Sequence, residues 1–354
     1  MTEIDWSKSM QQTFEFYKVD PLTWKDLEPL KNIESQTINR DSTNQTLGSS
    51  TIDCTDPIDE CYVRTYLVAI QNGVTHKRCL GTHLVQTPSV DFNGKRRKSS
   101  LDAYTSLIEL KETMPPIGYS ILKDKDIMTT ASNLCRENMR APIVPAKSTK
   151  KLYSDFVSNL DDTWLTFISD LIANAKFQLG LDELGRVIFE PVVDIASLQP
   201  VHTYTDDNSS ILYPDITDNR DLYGIPNVVE VVYSTESTTL FSRIVNDDPA
   251  SPISTVNRGR EIVHRETNPS FNGEPTKEYL DEYATQLLRN MSTLEHKITY
   301  KHGYCDVKVG DCILLNYKRA GFNNVRAKVI SQSISCVTGC PVEETAIYTT
   351  KLWR

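Results

Sequence analysis

The side chains best equipped for chemistry are six histidines, eight cysteines and a surplus of carboxylates. His76, His83, His202, His264, His296 and His302 are scattered, and none stands in a Gly-x-Ser-x-Gly, His-Glu-x-x-His or Cys-His setting. Their spacing predicts surface or strand positions. His302, Cys305, Cys312, Cys336 and Cys340 gather near the C-terminal end, and four such ligands suffice for zinc. There is no Cys-x-x-Cys knuckle, however, and separations of 7 and 4 residues fall within strand-like segments. Cys336 and Cys340 flank Val337-Thr338-Gly339, which reads as a three-residue hairpin loop and predicts a cross-strand pair of thiols. The pairs Asp161-Asp162 and Glu343-Glu344 carry no specific signal among 47 acidic residues, and the first is explained by helix capping. Lys95-Arg96-Arg97-Lys98, the densest basic run, is predicted at a solvated hairpin tip. Glycine is scarce at 14 and forms no phosphate-cradling loop. The expectation is a chain with no catalytic residue, no metal ligand and no cofactor, working through its surfaces rather than as an enzyme.

The elements that would build those surfaces are legible from periodicity. Asp161, Asp162 and Thr163 precede Trp164, Leu165, Ile168, Leu171, Ile172 and Ala175, an apolar series at helical spacing. The rhythm then changes to alternate residues: Phe177, Leu179 and Leu181, a turn at Asp182-Glu183-Leu184-Gly185, then Val187 and Phe189, stopped by Pro191. This predicts a helix laid on a hairpin. Upstream, Gln12–Asp20 reads as a strand, Trp24, Leu27 and Leu30 as a short helix or turn, and residues 35–50 as a polar loop. Tyr62–Ile70, Cys79–Val90 and Ser100–Leu110 are predicted strands joined at Asn72-Gly73 and Asn93-Gly94, an antiparallel meander. A helix is predicted around Ile127, Ala131, Leu134, Cys135 and Met139, ending at Pro142.

The second half begins with a polar, loop-like stretch from His202 to Tyr223. Strands are predicted at Asn227–Tyr233, Leu240–Val245, Glu261–Glu266, Cys312–Tyr317, Asn324–Ser335 and Ala346–Trp353. Between them Leu280, Tyr283, Ala284, Leu287, Leu288 and Met291 form the cleanest amphipathic helix, opening after Pro275-Thr276. The predicted fold is α+β: two antiparallel β-barrel-like domains, 1–117 and 227–354, flank a small α/β middle domain, 118–200. Residues 201–226 act as linker, and one helix at about 276–292 is inserted in the C-terminal barrel.

Bulk properties narrow the function. The 354 residues suffice for two or three cores, and 39% apolar with 24% charged residues is ordinary for a globular protein. A net charge of -9 disfavours binding driven by phosphate neutralisation. The polar start MTEIDWSKS lacks a secretory signal and no apolar run reaches membrane-spanning length, which predicts a cytoplasmic chain with no membrane contact. In that setting the sequons at Asn44, Asn208 and Asn290 mean little.

Four stretches together resemble a known family. They are Leu80-Gly81-Thr82-His83-Leu84-Val85 with the turn at Asn93-Gly94 and Leu101-Asp102-Ala103-Tyr104; Gly118-Tyr119-Ser120-Ile121; the Trp164-to-Pro191 helix-hairpin; and Tyr223-Gly224-Ile225-Pro226-Asn227-Val228-Val229, followed by the helix and Val309-Gly310-Asp311. Their order across nearly the whole chain resembles the central hub of phage-type baseplates, the late-control-D-like tail hub family. The resemblance implies a homotrimer in which two barrels per subunit imitate sixfold symmetry. Its implied partners are the tail tube or distal tail protein on one face and a threefold central spike on the other. Tape measure protein and baseplate wedge are further implied contacts. DNA would pass through the lumen without specific binding, which an acidic chain suits. The implied location is the virion tail baseplate, assembled in the bacterial host cytoplasm. The alternatives are a tail-associated peptidoglycan-cleaving enzyme, which needs an added catalytic domain, and a β-rich carbohydrate-binding module, which needs exposed aromatic residues. Most of the 16 tyrosines fall in predicted strands or amphipathic helices instead.

Overall fold

The computed structural model describes every residue except 1–3, 57, 93, 95, 96, 194, 208, 209, 237, 272, 273 and 354. The chain is mostly β-structure with few helices. It divides into two compact units, one of residues 1–216 with 299–346 and the other of 217–298 with 347–354.

In the first unit the Asn-Gly signal at 72–73 acts as the sequence predicts. Asn72 (φ 51°) and Gly73 (φ 78°) both take left-handed backbone and join Tyr62–Gln71 to Val74–Phe92 in a two-residue hairpin. The second of these is one long strand, not the shorter Cys79–Val90. It pairs onward with Arg97–Tyr104, while Asn93 of the connecting turn lies outside the described residues. The expected strand through Leu110 stops at Tyr104, because Thr105 and Ser106 give their hydroxyls to Thr46 O and Gly185 O and the chain turns into the helix Ile108–Glu112.

The polar stretch read as a loop at 35–50 is instead two paired strands, Ile33–Asp41 and Gly48–Cys54. Its polar residues disguise the pairing because they satisfy one another inside the sheet. Gln36 donates to Ser50 Oγ at 2.7 Å and accepts from Thr65 Oγ1 at 2.5 Å, all three buried. Gly48, at φ 141°, lies so close to the neighbouring strand that a Cβ would sit 2.1 Å from Asn39 O. Trp24 to Leu30 form no helix; Asp26–Pro29 is a short strand beside Gln11–Val19.

Val325–Ser335 pairs antiparallel with Ile33–Asp41, from Ser335↔Thr37 to Ser331↔Asp41. Strands from opposite ends of the chain therefore share one 13-stranded sheet. Among the described residues no sheet closes on itself. The pairing is not wholly antiparallel either. Pro200–Thr205 runs parallel to Cys312–Asn316, so the stretch expected to be loop-like contains this strand and Leu212–Arg220.

The helix-hairpin is present as Trp164–Ala173 followed by Phe177–Leu181 and Val187–Pro191. Thr163 is its cap, accepting from Thr166 N, while buried Asp162 accepts from Asn159 N one turn earlier. Its apolar face packs with the helix Ile127–Asn138 in a core that includes Leu134, Phe167, Ile168 and Leu171.

In the second unit Val228–Ser234 lies between Thr239–Val245, antiparallel, and Val263–Thr267, parallel. The helix Lys277–Met291, capped by Thr276, packs Leu280, Ala284 and Leu288 on Val229 and Val231. Sequence reading missed the strand Thr293–Gly303, which follows that helix directly.

Candidate functional site

The first unit gathers a set of polar side chains into its interior. They come from three strands of the sheet and the turn after one of them. Thr293–Gly303 supplies Tyr300 and His302, Pro341–Lys351 supplies Glu344, Pro200–Thr205 supplies Tyr204, and Cys305 follows His302 by three residues. All five are buried, with Glu344 at 0% exposure. Glu344 accepts from Tyr300 OH and from Gln332 Nε2 at 2.6 Å, and stands 3.5 Å from His302 Nε2. The other ring nitrogen, His302 Nδ1, faces Gly303 O at 2.7 Å. Both ring nitrogens thus face acceptors, the arrangement a cationic imidazole requires. Burial alone would lower the His302 pKa, but hydrogen bonding with Cys305 and Glu344 and the Glu344 charge raise it to about 10. Burial, then the Glu344 charge, holds the Tyr204 and Tyr300 phenols well above their usual range. Gln332 extends the network by donating to Val307 O at 2.9 Å and accepting from Arg40 Nη1 at 3.1 Å.

Chemically this is a sealed ion pair. His302 and Cys305 are 1% and 3% exposed, shut away from solvent. The other C-terminal cysteines do not join the pair. Cys312 points to Ile313 O, while Cys336 and Cys340 sit in an apolar cluster with Ile38, Leu67 and Tyr304. Both are free thiols, and burial pushes Cys340 up to about 12 and Cys336 higher still. Among the described residues no three His, Cys, Asp or Glu side chains are grouped to hold a metal ion.

The remaining sequence candidates are dispersed. All six histidines are in strands. In the second unit His296 is stacked on Tyr348 at 4.2 Å and hydrogen-bonded to Asp218 and Thr350. His83 is buried, its Nδ1 has no hydrogen-bond partner, and burial followed by the Arg40 charge lowers its pKa to about 3. Glu343 is exposed and pairs with Lys301 at 3.1 Å. Of the basic run, Lys95 and Arg96 lie outside the described residues, and Lys98 pairs with Asp53 at 3.0 Å.

A cavity of about 680 Å³ opens beside this network within the same unit. Arg40, Thr82 and His83 line it from the sheet, and Phe177, Glu183 and Lys308 from the hairpin and a facing turn. Lys308 pairs with Glu183 at 2.5 Å across its rim. Arg40 gives its guanidinium to Gln332 Oε1 and, at 2.6 Å, to Leu80 O.

Sequence reasoning set Glu344 aside as one of many carboxylates and missed Tyr204 and Gln332. A signal for Glu344 existed: Val342, Glu344 and Ala346 alternate on the buried side of their strand, so its parity placed it inside.

No family model matches the sequence, and no curated protein matches it. Solved structures match its fold from end to end. The tail protein from Neisseria meningitidis MC58 superposes with a TM-score of 0.63 at 11% identity, covering 97% of this chain and 98% of that one. The 43 kDa tail protein of prophage MuSo2 from Shewanella oneidensis gives 0.60 at 10% identity, covering 94% and 97%. A chain of the half-lidded Francisella PdpA–VgrG complex gives 0.54 at 10% identity, covering 96% of this chain and 58% of that one. This chain has the fold of those two tail proteins.

Proposed function

We propose that this chain is the central hub of a phage or phage-derived tail baseplate, a structural protein that assembles as a homotrimeric ring. The observation that carries the reading is the fold match with two tail proteins over nearly the full length of both partners. The four sequence stretches that resemble the hub family are spread over the same length. In the ring, the N-terminal and C-terminal β-regions of each subunit act as two like modules, so that three subunits present six. One face meets the sixfold tail tube or distal tail protein and the other a threefold spike, with the lumen open to DNA or tape measure.

A structural role is supported by the interior chemistry. The Cys-His-carboxylate grouping most suggestive of catalysis is buried among tyrosines and serves the sheet. Sedimentation of the purified chain, followed by negative-stain imaging, tests the reading. The expected result is a trimer with a central opening. A protein that stays monomeric at high concentration, with no ring in particles carrying a tagged copy, overturns it.

A further inference from the structure

In the first unit two stretches run antiparallel as a narrow ribbon. Ser120–Ile121 pairs with Phe156–Val157, Ser158 N donates to Tyr119 O, Asp124 N to Leu152 O, Leu152 N to Lys125 O and Ile127 N to Lys150 O. The inner side chains, Ile121, Ile127 and Leu152, belong to the core. The outer face has an unusual composition. Leu122, Tyr153 and Val157 stand on it at 61%, 98% and 57% exposure, with Ile117 and Leu160 at 90% and 83% beside one end. So many large apolar side chains on one small surface mark an interaction site.

Lysines surround them. Lys123, Lys125, Lys150 and Lys151 lie on the ribbon itself and are exposed, and Lys147 precedes it. Among the described residues none of these ammonium groups has a carboxylate partner, so the ribbon presents its lysines as uncompensated charge. Two of the ribbon's three carboxylates are already engaged: Asp126 accepts from Thr129 N and Asp155 from Lys123 N.

We infer that this ribbon is a docking face for the acidic surface of a second copy of the same chain. Charge decides the occupant and the symmetry. The chain carries a net charge of -9, so outside this local excess of lysine the rest of the molecule is net negative and attracts the ribbon of a second copy. A twofold contact of ribbon on ribbon would set lysine against lysine around the apolar centre. The favoured contact is heterologous, ribbon against a different face of the neighbour, which builds a ring when its rotation closes and never a twofold dimer. The inference rests on the ring reading above and supplies it with a named surface.

Carbodiimide cross-linking, which joins lysine directly to carboxylate, tests it. Two isotopically distinct batches of the full chain are exchanged at low concentration, concentrated to assemble, cross-linked and digested. Mixed-isotope links from Lys123, Lys125, Lys150 or Lys151 to carboxylates of another copy are expected. A Leu122→Asp, Tyr153→Asp variant and a Lys150→Glu, Lys151→Glu variant are each expected to raise the concentration needed for assembly at least tenfold. Their circular dichroism should be unchanged, since all four side chains are exposed. A wild-type ring whose ribbon lysines give no intermolecular links, or whose variants assemble like wild type, overturns this contact and leaves the ring reading intact. A wild-type chain that never assembles overturns both.

Discussion

At the residue scale the most consequential side chain is Glu344, because one buried carboxylate organises Tyr300, Gln332 and His302. Removing one partner of a buried ion pair strands the other, so Glu344→Ala is expected to cost about 3–5 kcal/mol in urea unfolding. The pH dependence has a definite sign. The folded-state pKa of His302, about 10, lies above its unfolded value of about 6.5, so the folded chain holds this proton more tightly. The resulting stability is fully present below about pH 6.5 and is lost as pH rises through about 10. Urea midpoints should fall across that window in the wild type and fall less in His302→Gln; identical slopes in the two proteins would contradict the assignment. Gly48 is a second sensitive point. At φ 141° with Asn39 O 2.1 Å from any added Cβ, Gly48→Ala has to displace backbone, and a loss of about 2 kcal/mol or more in chemical denaturation is expected.

At the element scale, amphipathic helices and the Asn-Gly hairpin at 72–73 follow from local sequence because their determinants are adjacent in the chain. Lys277–Met291 shows this: its apolar residues recur at helical spacing and Thr276 accepts from Tyr279 N to cap it. Thr276→Ala is expected to lower stability by about 1 kcal/mol and Leu288→Ala, at a fully buried site, by about 2–5 kcal/mol, both measured by thermal and urea unfolding. The helix Trp164–Ala173 and its hairpin were equally legible. The strands at 33–41 and 48–54 were not, since their polar residues look solvated until Thr65, from another strand, joins Gln36 and Ser50. Thr293–Gly303 escaped for a related reason: its buried His296 and His302 are polar by type, and only their partners on other strands account for their burial.

At the scale of the whole molecule, the decisive pairing is that of Thr37–Asp41 with Ser331–Ser335, which fastens the chain's two ends into one sheet. Hydrogen exchange should therefore show these segments protected and opening together. Ile334→Ala, buried against Ile38 in the same cluster, should expose both at once, and separate opening would contradict their cooperation. The sequence by itself determined the helices Ile127–Asn138, Trp164–Ala173 and Lys277–Met291, the tight hairpin at 72–73, the acidic balance and the absence of familiar catalytic or metal-binding motifs, because each depends on neighbouring residues or on composition alone. Its order of short stretches also pointed to a tail protein, and the chain shares the fold of two such proteins. Only the tertiary structure decided that distant strands share one open sheet, that Glu344 and His302 meet inside it, and that lysines and apolar side chains stand together on the outer ribbon. Those outcomes depend on strand partners far apart in the chain, and no local pattern specifies which partner is chosen.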